Sequence, residues 1–179
     1  MAEQTLLLQK HDLDTLLSGV RGSGIEGPHT FIRGINADYD CDVMLQQWLR
    51  PIEPEDDFRF SVNVDDEDFW VLMERLPWDS DFFSMQTARL NGVLRPHRRA
   101  GLREDSSGGA RALSHSLQAA ALRGVRYVFA PVSPNDLYLL RLLSANGFEL
   151  IETRCHYHRP LSAPPAGRHS VRLAVEADI

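Results

Sequence analysis

The run RPHRR, residues 95–99, concentrates three arginines and a histidine in five positions. Guanidinium forks match phosphate oxygens, so this run could meet a phosphorylated ligand. The competing reading is a solvated loop that balances the acidic runs EPEDD and DDED, which is the commoner fate of a charge run. His156 and His158 in CHYH fall on one side of a strand, a spacing that can hold a metal, with Cys155 and Tyr157 on the other. No third ligand is evident, so the expectation is no metal and a half-exposed sheet edge. Trp78, Phe82 and Phe83 could line a pocket, although aromatics beside a turn belong more often to the core. Asp79 and Ser80 are expected to bond nearby backbone N–H groups. No Ser-His-Asp or paired-carboxylate arrangement stands out.

The chain that must position these groups has 179 residues, 43% of them hydrophobic, enough for one full core or two small ones. A net charge of −6, spread over mixed runs, argues against a nucleic-acid binder, which needs a dominant basic face. Lys10 is the only lysine; arginines scattered over every segment cannot all be ligands. Cys41 and Cys155 lie far apart without CxxC spacing, so neither a disulfide framework nor a zinc knuckle is indicated and a reducing cytoplasm fits. The N-terminus has the wrong charge order and too short an apolar run for a secretory signal, and no stretch approaches a membrane span.

Leucines in TLLLQKHDLDTLLSGV recur at helical spacing, CDVMLQQWLR reads as a short helix ended by Pro51, and FRFSVNV alternates as a half-buried strand. From Trp70 the pattern becomes α/β. QTARLNGVL is a strand, RPHRRAGLREDSSGG a loop, and ARALSHSLQAAALRG a helix with Leu113, Leu117, Ala120 and Ala121 on one face. VRYVFAPV is almost wholly apolar, as a parallel strand buried on both faces would be. Ser133 as N-cap, Pro134 at the first helical position and Asp136 three residues after the cap open the next helix, which Gly147 ends. FELIETRCHYHRP reads as a long last strand, LSAPPAGRHS as a linker, and VRLAVEADI as the start of a new strand.

The buried strand, the helix ending ANGFEL and the strand carrying Tyr157 resemble the second half of the Gcn5-related N-acetyltransferase (GNAT) fold. LPWDSDFFSMQTARL is similar to the WDSxFFG segment of the two-domain subgroup that acetylates amino-sugar nucleotides, the dTDP-fucosamine type, with Ser84 where that segment has glycine. The resemblance covers residues 76–160. It implies an acetyl-CoA pyrophosphate held where a Q/R-x-x-G-x-G/A loop opens a helix, because backbone N–H groups and the helix dipole favour an anion there. The matching stretch is DSSGGA, which makes Gly108, Gly109, Ala110 and Asn135 the implied cofactor-binding positions; Asp105 stands where Gln or Arg belongs. The family's tyrosine acid maps onto Leu143, and Tyr138 lies more than a turn away on the same helix.

The expectation is therefore an α/β, GNAT-like mixed sheet flanked by helices, with a small, mostly helical N-terminal extension over 1–68. The GNAT-like domain would occupy 69–160, and 161–179 would be a linker and the start of a second domain. The resemblance implies acetyl-CoA as cosubstrate and a small-molecule amine, an amino-sugar nucleotide, as acceptor. Departures at Asp105 and Leu143 make this chain the non-catalytic N-terminal part of such an enzyme, the alternative being a binding module that keeps the fold. No metal, nucleic acid or membrane is expected, the compartment is cytoplasmic, and a homodimer is left open.

Overall fold

The computed structural model describes residues 5–7, 27–30, 32, 34–95 and 106–154. Its centre is a five-stranded sheet in the order β1-β2-β3-β4-β5: Thr5–Leu7, Phe60–Val64, Glu67–Arg75, Thr87–Leu94 and Tyr127–Phe129. The first three pairings are antiparallel and the last is parallel. Among the described residues four helices accompany it: α1 Ala37–Trp48, α2 Pro77–Phe83, α3 Ser107–Leu122 and α4 Leu137–Ala145. The expected mixed α/β sheet flanked by helices is what forms. The N-terminal part enters it more deeply than expected. Thr5–Leu7, inside a stretch expected to be helical, pairs with β2, because that edge of the sheet offers hydrogen bonds a lone helix start cannot match. The boundary expected at residue 68 falls within β3, whose partner β2 lies on its other side, so one sheet spans it. Asp65 and Asp66, both at positive φ (52° and 64°), form the two-residue turn between these strands, a conformation that matches strand twist.

Strand alternation sorts the core into two faces. Phe69, Val71 and Met73 of β3 pack with Ala112, Leu113 and Ala120 of α3. Trp70 and Leu72, one residue out of phase, pack with Leu45 of α1 and with Leu49, the residue that caps its end. On β4 the alternation slips: Ala88 and Leu90 share the α3 face with Val93, a spacing of three. The cause is a bulge, since Leu72 pairs with Gly92 and Met73 with Leu90, leaving Asn91 as an extra residue. Gly92 then comes under Trp48 of α1, where a β-carbon would sit 3.2 Å from the indole.

Polar ties fasten α1 and the 53–59 segment to the sheet. Arg59, only 5% exposed, donates to both Asp57 oxygens and, through Nη1, to the carbonyls of Trp48 (3.5 Å) and Arg50 (3.1 Å) just past the end of α1. Glu74, buried on β3, pairs with Arg89 and, at 2.9 Å, with Arg50. The acidic runs are thus engaged: Asp56 pairs with Arg75, Asp65 with Arg111, and Glu67 with Arg95 of the RPHRR run.

Three expected elements differ. Helix α4 is capped by Asp136, not Ser133; its carboxylate accepts from Leu139 N at 2.9 Å, and Ser133 instead turns the chain, its carbonyl accepting from Asp136 N. Strand β5 covers only Tyr127–Phe129 and is partly exposed, not buried on both faces. Residues 148–154 form no strand and have no sheet partner among the described residues, with Leu150 and Ile151 largely exposed; the rest of the expected strand, 155–160, lies outside the described residues. Ala121 also faces solvent; the buried stripe of α3 is Gly109, Ala112, Leu113, Ser116 and Ala120. The end of α4 is as expected, Gly147 at φ 76° with Phe148 N donating to Leu143 O at 3.1 Å and Gly147 N to Ser144 O at 3.2 Å. Among the described residues no helix is long and apolar enough to cross a membrane.

Candidate functional site

The parallel pair β4·β5 closes at one end and opens at the other. Tyr127 N donates to Gln86 O, so by the two-residue period of the ladder the N–H groups of odd-numbered residues on β5 face β4. Two steps past Phe129 that donor is Pro131, which has no N–H, and pairing ends at Arg89 and Phe129. The Asn91 bulge bends β4 at the same level. Beyond it, β4 from Leu90 to Leu94 carries β3 on one side and, on the other, has no strand partner among the described residues.

Helix α3 begins at this open end. Gly108 lies against Phe69, whose neighbour Trp70 pairs with Leu94, the last residue of β4. The first bond within α3 runs from Ala110 N to Ser106 O at 2.9 Å; a helix leaves its earlier amides to other partners, and an anion at that end is favoured by the dipole. Of the expected cofactor positions, Gly108, Gly109 and Ala110 all lie in the first turn of α3, which takes Gly108 and Gly109 out of the loop the sequence suggested. The glycines also answer to packing. A β-carbon on Gly108 would meet the Phe69 ring at 3.0 Å, and one on Gly109 would meet the Tyr138 hydroxyl at 2.3 Å. Asn146, at the end of α4, donates to Ala110 O at 3.1 Å and to Leu142 O at 2.9 Å, tying the two helices. Asn135 is exposed in the turn before α4, its N–H directed to Ser133 Oγ at 3.3 Å.

Leu143, at the family's acid position, and Tyr138, the tyrosine on the same helix, are separated by their surroundings. Leu143 is 6% exposed in the α3-side core, as a hydrophobic residue of a packed helix face should be. Tyr138, half-buried, carries its hydroxyl to the first turn of α3. Asp105, the remaining RPHRR and RRAGLR residues, His156, His158, Cys155, Tyr157 and VRLAVEADI lie outside the described residues. Among those described, no cluster of His, Cys, Asp and Glu could hold a metal.

One arrangement was invisible in sequence. Asp40, buried at the start of α1, accepts from His29 N at 2.7 Å and sits 2.9 Å from His29 Nδ1, which orients an imidazole that is 58% exposed. Eleven residues and a turn separate them, and no spacing rule links such a pair. Next to Asp40, Cys41 packs against the Trp70 and Leu94 cluster; burial, then the charges of Asp42, Asp40 and Asp38, push its thiol pKa up.

Trp78, Phe82 and Phe83 correct the core expectation, since they are 72%, 68% and 43% exposed. Helix α2 turns Ser80 inward instead: its Oγ donates to Leu76 O at 2.7 Å and accepts from Thr87 N at 3.0 Å. That is the backbone bond expected of Ser80. Ser84, in the glycine position of the resembled segment, ends α2 at φ 53° and ψ 33°.

Solved structures of acetyltransferases share this architecture. A ribosomal-protein-alanine N-acetyltransferase from Brucella melitensis biovar Abortus 2308 superposes with a TM-score of 0.54 at 16% identity, covering 89% of this chain and 99% of its own. The fold is that of the Gcn5-related N-acetyltransferases. An aminoglycoside acetyltransferase from an uncultured soil metagenomic sample, in complex with sisomicin, superposes at 0.53 with 12% identity over 89% of this chain and 97% of that one. An aminoglycoside N-acetyltransferase in complex with CoA gives 0.51 with 13% identity over 88% and 95%. No family model and no curated protein sequence matches the chain. At these identities the GNAT fold is what the likeness carries.

Proposed function

We propose that this chain serves acetyl transfer from acetyl-CoA to the amine of a small molecule. The observation that carries the reading is the parting of β4 from β5 at Pro131 and Asn91, with the first turn of α3 at the same end. An extended thioester arm fits beside an open strand edge, and a pyrophosphate suits the helix start. In the reaction the neutral amine attacks the thioester carbonyl, the N–C bond forms, the C–S bond breaks, and CoA leaves as the thiolate, which takes up by way of water the proton that the new amide nitrogen sheds. Backbone N–H groups aimed at the carbonyl oxygen lower that barrier.

The acceptor class, an amino-sugar nucleotide, rests on the likeness of LPWDSDFFSMQTARL to the dTDP-fucosamine type alone. A second reading, a module that keeps the GNAT fold without catalysis or forms the non-catalytic part of a larger enzyme, is favoured by Leu143, a core leucine where the family has its acid. A cytoplasmic setting agrees with both.

Calorimetric titration of the full chain with acetyl-CoA separates the readings. Micromolar binding that weakens at least about tenfold in Ser107→Glu is expected, since a carboxylate on the exposed first helical residue repels pyrophosphate without harming the helix. No heat from a folded chain leaves the module reading standing and the donor site refuted.

A further inference from the structure

We propose that the aromatic face shared by α2 and β5 is the interface between two copies of this chain. Five rings form a continuous series across it. Trp78 stacks on Phe82 at 5.4 Å between centroids, Phe82 meets Phe83 edge-on at 5.1 Å, Phe83 lies 6.3 Å from Phe129, and Phe129 lies 4.8 Å from Tyr127. Trp78 and Phe82 are about seven-tenths exposed, and Phe83, Tyr127 and Met85 more than four-tenths. The amphipathicity of α2 is inverted: Ser80 is its only buried residue, so three of its seven side chains are aromatic and face out. An exposed face of this kind is unlike scattered surface hydrophobics and marks a docking surface.

The area and the charges select a second copy as the occupant. With 150–250 Å² per aromatic side chain, these rings leave roughly 500 Å² of apolar surface in water. Doubled by a two-fold axis and ringed by polar contacts, this reaches the roughly 1,200–2,000 Å² of a stable interface. The rim is self-complementary, with Asp79 and Asp81 on the helix side and the exposed Arg126 beside Tyr127 on the strand side. A two-fold axis through the patch sets the acidic rim of each copy against the basic rim of the other. Carboxylates among the rings also oppose an anionic membrane or a nucleic acid.

Sedimentation velocity on the full chain, at concentrations up to about 100 μM, tests this. The wild type is expected to sediment at twice the chain mass, and Trp78→Glu and Phe82→Glu at the single mass with unchanged circular dichroism. Asp81→Lys, an exposed substitution that spares the rings, shifts the equilibrium toward monomer even if the glutamate variants misfold. A wild type that stays monomeric overturns the proposal, whether Trp78 is then quenched by acrylamide or shielded by another part of the same chain. A dimer that survives all three substitutions overturns it too, because the interface then lies elsewhere.

Discussion

The Tyr138 hydroxyl and the Cα of Gly109 are packed so closely that a β-carbon on residue 109 would lie 2.3 Å from the oxygen and 3.2 Å from both Leu142 methyls. The glycine makes room for the Tyr138 hydroxyl and the Leu142 methyls of α4 against the first turn of α3, so the same residue shapes the helix start and the helix–helix contact.

Gly109→Ala is therefore expected to destabilise the fold by about 1–3 kcal/mol, the range for overpacking a filled site. Tyr138→Phe, which removes the nearest atom, should recover part of that loss in the double variant. Urea denaturation of the four proteins in the cycle measures the coupling.

Ser84→Gly should stabilise. A non-glycine residue in the left-handed region costs about 1–2 kcal/mol, and glycine returns part of its gain to the unfolded chain, so a net rise of about 0.5–1 kcal/mol is expected. A thermal melt that shows no rise, or a fall, would mean that the Ser84 side chain compensates its own backbone.

Arg59 holds a buried charge between Asp57 and the end of α1. Arg59→Met strands the Asp57 carboxylate and is expected to cost about 3–5 kcal/mol in denaturant midpoint experiments. Asp57→Asn in the same background should recover part of it by removing the orphaned charge.

The Cys41 thiol, its pKa raised by burial and by three neighbouring aspartates, holds little thiolate at neutral pH. In a Cys155→Ser background, disulfide reagents should modify it more slowly at pH 7 than they do an exposed cysteine, with the rate climbing only well into the alkaline range. Asp42→Asn should bring that rise to lower pH.

How far sequence reasoning reached depended on the range of the interactions. The β4, α3 and α4 segments were legible because alternation, a helical stripe and a glycine stop are local signals. Ser133 and Asp136 show the limit of that logic: both can cap, and the carboxylate that reaches Leu139 N decides it. Pro131 was in plain view within VRYVFAPV, yet apolarity outweighed the missing donor, and the strand was drawn three residues too far. The aromatics of WDSDFF were placed inside on hydrophobicity alone. One serine bonding to a neighbouring strand turned the helix over, and such a bond has no signature in spacing. Gly108 and Gly109 were singled out for an anion, whereas the contacts the structure shows are with Phe69 and Tyr138, 39 and 29 residues away in the chain.

The extra residue in β4 separates what the core requires of the strand from what its shape requires. Delete Asn91 and Ala88, Leu90 and Val93 become strictly alternating neighbours on one face, with Gly92 and Leu94 still on the other. A strand one residue shorter would bury the same side chains, so Asn91 is dispensable to the core and answers only to curvature. A single inserted residue, at the level where Pro131 withholds a hydrogen bond, is enough to give a closed ribbon a mouth.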